Sequence, residues 1–195
     1  MSKVKAVAKG FHPIIFVEPS IFLACPIYIC TKLKMIDPLV AGIAILALVA
    51  FPHFLSLKRS LETGNNVGAI ILGMFTGFWT LLGIGLILVS TGCLELKLLS
   101  KSLMPIEAGI AFNIFWHLPH YKPERHLFVT LTGLGIVMSV LAMAKYFLYH
   151  TPHHCFGEGV EILGLFLIGC LAMILLWLRG VLKAEQEEEE AEAVA

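Results

Sequence analysis

The sequence predicts an all-α polytopic membrane protein with six transmembrane helices per protomer. Hydrophobic residues make up 58% of the 195 positions and charged residues only 14%, a balance outside that of water-soluble domains. Six apolar stretches follow one another with only short polar or basic turns between them, and spans of ~20 residues each would take up most of the length. The formal net charge of +0 hides a division, because Glu185, Glu187, Glu188, Glu189, Glu190 and Glu192 stand together at the end and leave the rest basic. The chain thus divides into a cytoplasmic N-terminal segment (1–12), a six-helix membrane domain (13–184) and an acidic tail (185–195) whose like charges predict disorder.

The first span runs from about Phe16 to Thr31, and Pro19 and Pro26 are expected to kink or break it. Each proline removes an amide donor and crowds the turn before it. Lys3, Lys5 and Lys9 precede this span without a small-residue cleavage site, so the segment reads as mature protein rather than a signal peptide. The second span runs from Leu39 to Leu57, the third from Val67 to Ser90 and the fourth from Met104 to Leu118. The fifth covers His126 to Tyr149 and the sixth Val160 to Leu182. The first and fourth are shorter than the ~20 residues a straight crossing needs, so their flanks must complete them or the helix must break inside the protein.

Lys and Arg favour cytoplasmic turns. With an inside N-terminus, nine fall inside (Lys3, Lys5, Lys9, Lys58, Arg59, Lys122, Arg125, Arg179 and Lys183) and four outside (Lys32, Lys34, Lys97 and Lys101), with Lys145 left within a span. Both termini are therefore expected in the cytoplasm and the protein in the cell (inner) membrane. Glycines such as Gly42, Gly73, Gly83 and Gly135 punctuate the spans and predict closely approaching backbones, since hydrophobicity gives helices in lipid no net drive to associate.

Composition and motifs exclude several classes. The charge pattern has no nucleic-acid footprint, and Cys25, Cys30, Cys93, Cys155 and Cys170 form no CxxC pair and no disulfide framework. No nucleophile, base and orienting group recur at a recognisable spacing, so an enzyme is not expected, nor is a cofactor. His150, His153, His154 and Cys155, with Glu158, gather nitrogen and sulfur donors in one outer turn that could hold zinc or copper, although such loops often carry these residues without a metal. His53, His117 and His150 show no regular pairing at one depth of the kind that holds haem. His117, His120 and His126 flank a turn that reads as an interfacial anchor.

Polar groups within spans mark function, because an ionised side chain at bilayer depth costs at least ~2.5 kcal/mol without water or a partner. Glu18 lies just inside the first span, in Phe16-Val17-Glu18-Pro19-Ser20, where prolines free backbone groups to line a vestibule. Glu107 and Asn113 are six apart on the fourth span, about 240° of rotation, so they cannot share one narrow face. Asn113, the deeper, is the expected pore-facing residue. Phe75, Phe78 and Trp79 at one-turn spacing put a bulky face beside Gly77, where rings could narrow a pore.

Gly64-Asn65-Asn66-Val67-Gly68, followed ten residues after Gly68 by Phe78-Trp79, resembles the turn and helix of the succinate–acetate permease (acetate uptake transporter) family. The coarse pattern over about residues 17–184 is similar too, and Gly64 to Trp79 is its one specific local match. The resemblance implies a compact six-helix protomer, a homohexamer, and a pore in each protomer for small carboxylates such as acetate. It also implies an apolar waist, with Phe75, Ile27 and Leu131 at the positions of the family's waist residues. The chain departs from the family at span one, where Glu18-Pro19-Ser20-Ile21-Phe22-Leu23-Ala24 replaces Asn-Pro-Ala-Pro-Leu-Gly-Leu.

The reading is therefore a membrane transporter or channel for small monocarboxylates or a related small solute. Its partners are the bilayer and the solute, and Glu18, Asn65, Asn66 and Asn113 line the substrate or proton pathway. A non-transporting subunit of a larger membrane complex is the alternative, with a haem- or metal-binding redox protein behind it.

Overall fold

The architecture was read from a computed structural model that describes residues 17–121 and 125–150, with residues 167, 170, 174, 178, 180–182, 184 and 185. Every regular element among the described residues is helical.

The first helix, α1 (Val17–Lys32), crosses both prolines without a break, so of the expected kink or break, the break is absent. Pro19 sits in the first turn, where amides have no intrahelical acceptor to lose, and Pro26 is accommodated inside. Next come α2 (Pro38–Ile45), a π-helical turn (Leu46–Ala50) and α3 (Phe51–Glu62), which together form one 25-residue span. Asp37 caps its start by accepting a hydrogen bond from the Leu39 amide at 2.8 Å, with Pro38 in the first helical position. The π turn has a local cause. Pro52 offers no amide, and its ring would crowd the Leu48 carbonyl four residues back. The backbone widens ahead of it, so that the Phe51 amide reaches Leu46 O.

Three helices end alike. After α1, Lys34 N–H bonds Thr31 O at 3.0 Å and Met35 N–H bonds Cys30 O at 2.8 Å. After α3, Gly64 and Asn65 bond Leu61 O and Ser60 O, and after α4 (Asn66–Ser90), Gly92 and Cys93 bond Val89 O and Leu88 O. These paired bonds are Schellman caps, which need a left-handed residue just past the helix. Gly64 and Gly92 supply it at φ +75°, but the first cap holds Lys34 at φ +58°. Lys34→Gly is therefore expected to raise stability by up to about 1 kcal/mol, read as a higher denaturation midpoint in detergent.

The chain continues through α5 (Leu96–His117), a 3-10 turn (Leu118–Tyr121) and α6 (Arg125–His150). The α5 helix starts at Leu96 rather than Met104, which removes the shortness expected of the fourth span. Its added turns are amphipathic, burying Leu99, Ser100 and Leu103 while Lys97 and Lys101 are exposed. The sixth span and the acidic tail fall largely outside the described residues, although Leu167, Cys170, Ile174 and Leu178 are helical.

Among the described residues, three helices, Pro38–Glu62, Asn66–Ser90 and Leu127–Phe147, are long and apolar enough to cross a membrane. The α4 helix is central, packing against α2, α3 and α5, while α5 packs along α6. Contact between α2 and α4 is backbone to backbone: a Cβ on Gly42 would lie 2.6 Å from Gly83 O, and one on Gly83 would lie 2.7 Å from Leu46 Cγ. Beside an apolar core, the bundle buries several polar and charged groups and exposes many large apolar ones. Glu107, Lys145, His53, Ser60, Ser100 and Thr130 are buried, while Leu48, Phe51, Phe54, Phe112, Trp116 and Ile136 are exposed. Such large apolar side chains on the outside suit lipid as the solvent.

Candidate functional site

Among the polar groups buried within the bundle, two sets lie near Trp79. At the first, α5 and α6 bring Glu107 and Lys145 together: Lys145 Nζ donates to Glu107 Oε1 in a direct ion pair. Both are buried, at 0% and 3% exposure. The pair lies on the wall of a cavity of about 40 Å³ where α1, α4, α5 and α6 meet. Ala24, Cys25 and Tyr28 line it from α1, Phe78, Trp79 and Leu82 from α4, and Leu103, Val137, Met138 and Leu141 complete it. The lining is almost wholly apolar, so the ion pair is the cavity's only charged feature among the described residues.

The geometry of α5 and α6 explains how residues 38 apart meet. From Glu107 down to the end of α5 is about 15 Å at 1.5 Å per residue, and the 3-10 turn adds about 8 Å at 2.0 Å per residue. Lys145 lies about 30 Å up α6 by the same rise. Side chains lean toward their helix N-terminus, so Glu107 leans up, Lys145 leans down, and the remaining gap is closed by two long side chains.

At the second, His53 of α3 is fully buried. Its Nδ1 lies 2.9 Å from Val49 O and 3.1 Å from Ser20 Oγ of α1. A carbonyl can only accept, so Nδ1 carries the proton, and in the neutral ring Nε2 is an acceptor. That Nε2 has no partner among the described residues, and neither does the indole Nε1 of Trp79. The His53 ring centroid is 6.1 Å from that of Phe75 and 6.3 Å from that of Trp79, and Phe78 meets Trp79 edge-on at 4.7 Å.

The residues expected to form the waist share one apolar core. Phe75 and Leu131 are fully buried in it, and Ile27 is half-buried against it. Asn65 serves the backbone: its Oδ1 accepts from the Gly68 amide at 2.9 Å as the N-cap of α4. A Cβ on Gly68 would strike that side chain at 2.7 Å. Gly64, Asn65 and Gly68 thus have structural reasons for their identities. Asn65→Ala is expected to cost about 1 kcal/mol through the lost cap, read by unfolding in detergent. Asn66 is exposed in the first turn of α4. Asn113 is half-buried with Oδ1 unpartnered among the described residues. Of the two polar residues on the fourth span, Glu107 is the one on the cavity. Glu18 lies in the first turn of α1, but its side chain falls outside the described ones, as do the His150 side chain and residues His153, His154 and Cys155.

No protein-family model, curated protein or solved structure matches the chain. Sequence reasoning leaves Lys145 without a role. The available signal is its sign: one cation and one anion, each alone within an apolar stretch on neighbouring spans, are expected to pair.

Proposed function

We propose that the chain is an integral membrane protein, with six spans and both termini in the cytoplasm, that passes small monocarboxylates of the acetate type through the interior of each protomer. The observation that carries this reading is the Glu107–Lys145 pair on an apolar cavity in the middle of the bundle. Ionised residues kept at bilayer depth face cavities or partners and mark solute pathways, and a lysine is a natural counter-ion for a carboxylate. The waist of Phe75, Ile27 and Leu131, the pathway residues Glu18, Asn65, Asn66 and Asn113, and a homohexameric assembly follow from the sequence resemblance and belong to the same proposal.

The test is uptake of labelled short-chain acids and matched neutral amides into proteoliposomes at alkaline pH, where little free acid crosses lipid unaided. Protein-dependent uptake of acetate in preference to acetamide is expected. Uptake no faster than in protein-free liposomes contradicts the proposal. Glu18→Gln is expected to change the pH profile of that uptake, and an unchanged profile removes Glu18 from the pathway.

Full burial of Phe75 and Leu131 favours a second reading, a closed bundle serving as a scaffold in a larger complex. Purification in mild detergent separates the two: a homo-oligomer alone fits the transporter, and stoichiometric foreign subunits fit the scaffold.

A further inference from the structure

The inward face of α3 is polar. Among the described residues, α3 buries only His53, Ser56 and Ser60, while Phe51, Phe54, Leu55 and Leu61 are exposed. Their spacing puts the buried residues in one line along the helix, about 10 Å long at 1.5 Å per residue. One end lies at the Gly64 turn, where the Asn65 amide bonds Ser60 O, and at the other end the His53 ring lies beside those of Phe75 and Trp79. Ser56 Oγ donates to Pro52 O at 3.0 Å. Ser60 Oγ and His53 Nε2 are fully buried and have no partner among the described residues. We propose that this seam between α3 and α4 is an aqueous entry path, shut in this structure, that opens when α3 bends at the π turn and swings away from α4.

Unmade bonds and unequal packing both favour opening at this seam. A buried donor or acceptor left without a partner is costly, and water admitted between α3 and α4 supplies the bonds that Ser60 and His53 lack. The shut form thus bears a cost that the open form does not. Close packing alone does not call for these residues, since alanine or glycine serves a tight crossing as well as serine and histidine is not small. Packing along α4 changes at the π turn. Above it α2 is locked in place, because a Cβ on Gly42 would lie 2.6 Å from Gly83 O; below it a Cβ on Gly73 would lie 3.9 Å from Leu57 Cδ1, an ordinary contact. Between the two parts, at Leu46–Ala50, the ladder is already widened ahead of Pro52, which has no amide to give. That break lets α3 move while α2 stays. The hydroxyls both donate and accept, and the neutral imidazole accepts at Nε2, so the open face suits water and small hydrogen-bonding solutes. The inference rests on the transport reading only for what moves along the path; wetting of the seam stands or falls separately.

The experiment introduces Ser56→Cys, Ser60→Cys or Leu55→Cys singly into the full-length chain, with its five native cysteines replaced by Ala, and follows reaction with a charged methanethiosulfonate in lipid nanodiscs. A thiol reacts as the thiolate, which forms where water reaches it. Ser60→Cys and Ser56→Cys are expected to react, although the shut structure buries both positions. Leu55→Cys, at an exposed position on the apolar side of α3, is expected to react about tenfold more slowly or less. No reaction at either serine position, or reaction no faster than at Leu55→Cys, overturns the path. Pro52→Ala returns the missing amide and is expected to slow the Ser60→Cys reaction about threefold or more; an unchanged rate overturns the bend at the π turn. Should the cysteine-free background fail to fold, hydroxyl-radical labelling of the wild-type protein reads water at His53: labelling is expected, and its absence overturns the path. A reactive seam without acetate flux keeps the entry path and removes the transport reading, whereas acetate flux with an unreactive seam removes the entry path and keeps transport.

Discussion

Lys145→Met alone is expected to destabilise the protein by about 3–5 kcal/mol, while the double replacement Glu107→Leu with Lys145→Met is expected to restore wild-type stability or exceed it by about 1–4 kcal/mol. The asymmetry follows from burial. Glu107 and Lys145 are almost without exposure, so each charge is tolerable only because the other neutralises it. Removing one leaves an uncompensated carboxylate among Leu103, Met138 and Leu141, which line the same cavity. Removing both leaves only apolar groups of similar size. Reversible unfolding in mixed micelles reads both effects, and a double variant as unstable as the single one would mean that the pair itself holds α5 to α6. If the expectation holds, the pair persists at no benefit to the fold, which is what a functional role requires.

Gly42→Ala is expected to cost about 1–3 kcal/mol, whereas Gly77→Ala is expected to be neutral or to gain up to about 1 kcal/mol from helix propensity. The two glycines look alike in sequence, each small and within an apolar span. In the structure a Cβ at Gly42 would meet Gly83 O at 2.6 Å and Ile87 Cγ1 at 2.8 Å, while one at Gly77 would meet nothing within 4 Å. A backbone oxygen cannot rotate away as a side chain can, so α2 and α4 must separate. Since α4 is the helix on which α2, α3 and α5 all pack, that separation reaches the Trp79 wall of the cavity. Unfolding of the two variants in the same detergent checks the contrast, and equal effects would argue against backbone contact at this crossing.

Much of the fold is legible because lipid simplifies the sequence problem. Spans two, three and five read as long apolar runs, and the structure places helices at Pro38–Glu62, Asn66–Ser90 and Arg125–His150. The start of α5 is hidden because Lys97, Ser100, Lys101 and Ser102 dilute the apolar signal, although they sit on a helix that buries only one side there. The π turn at Leu46–Ala50 is hidden as well, since an all-apolar run has no periodicity to distort. At the site, the aromatic cluster of Phe75, Phe78 and Trp79 is visible as residue types at one-turn spacing. Its partner His53 is not, because it comes from a different helix and its role depends on Ser20 and Val49. Depth alone ranks Asn113 above Glu107. Depth counted along a helix omits the length and lean of Glu and Lys side chains, and these are what join α5 to α6.

The proposed transport requires a solute path inside the protomer, and the sequence resemblance puts Phe75 on it. It is tested most directly by comparing acetate and butyrate uptake into proteoliposomes for the wild type and for Phe75→Leu, a replacement that narrows the side chain while keeping it apolar. The account predicts protein-dependent acetate uptake in both and a higher butyrate-to-acetate ratio in the variant. Folded protein that moves neither acid, or an unchanged ratio when Phe75 is reduced, would contradict it.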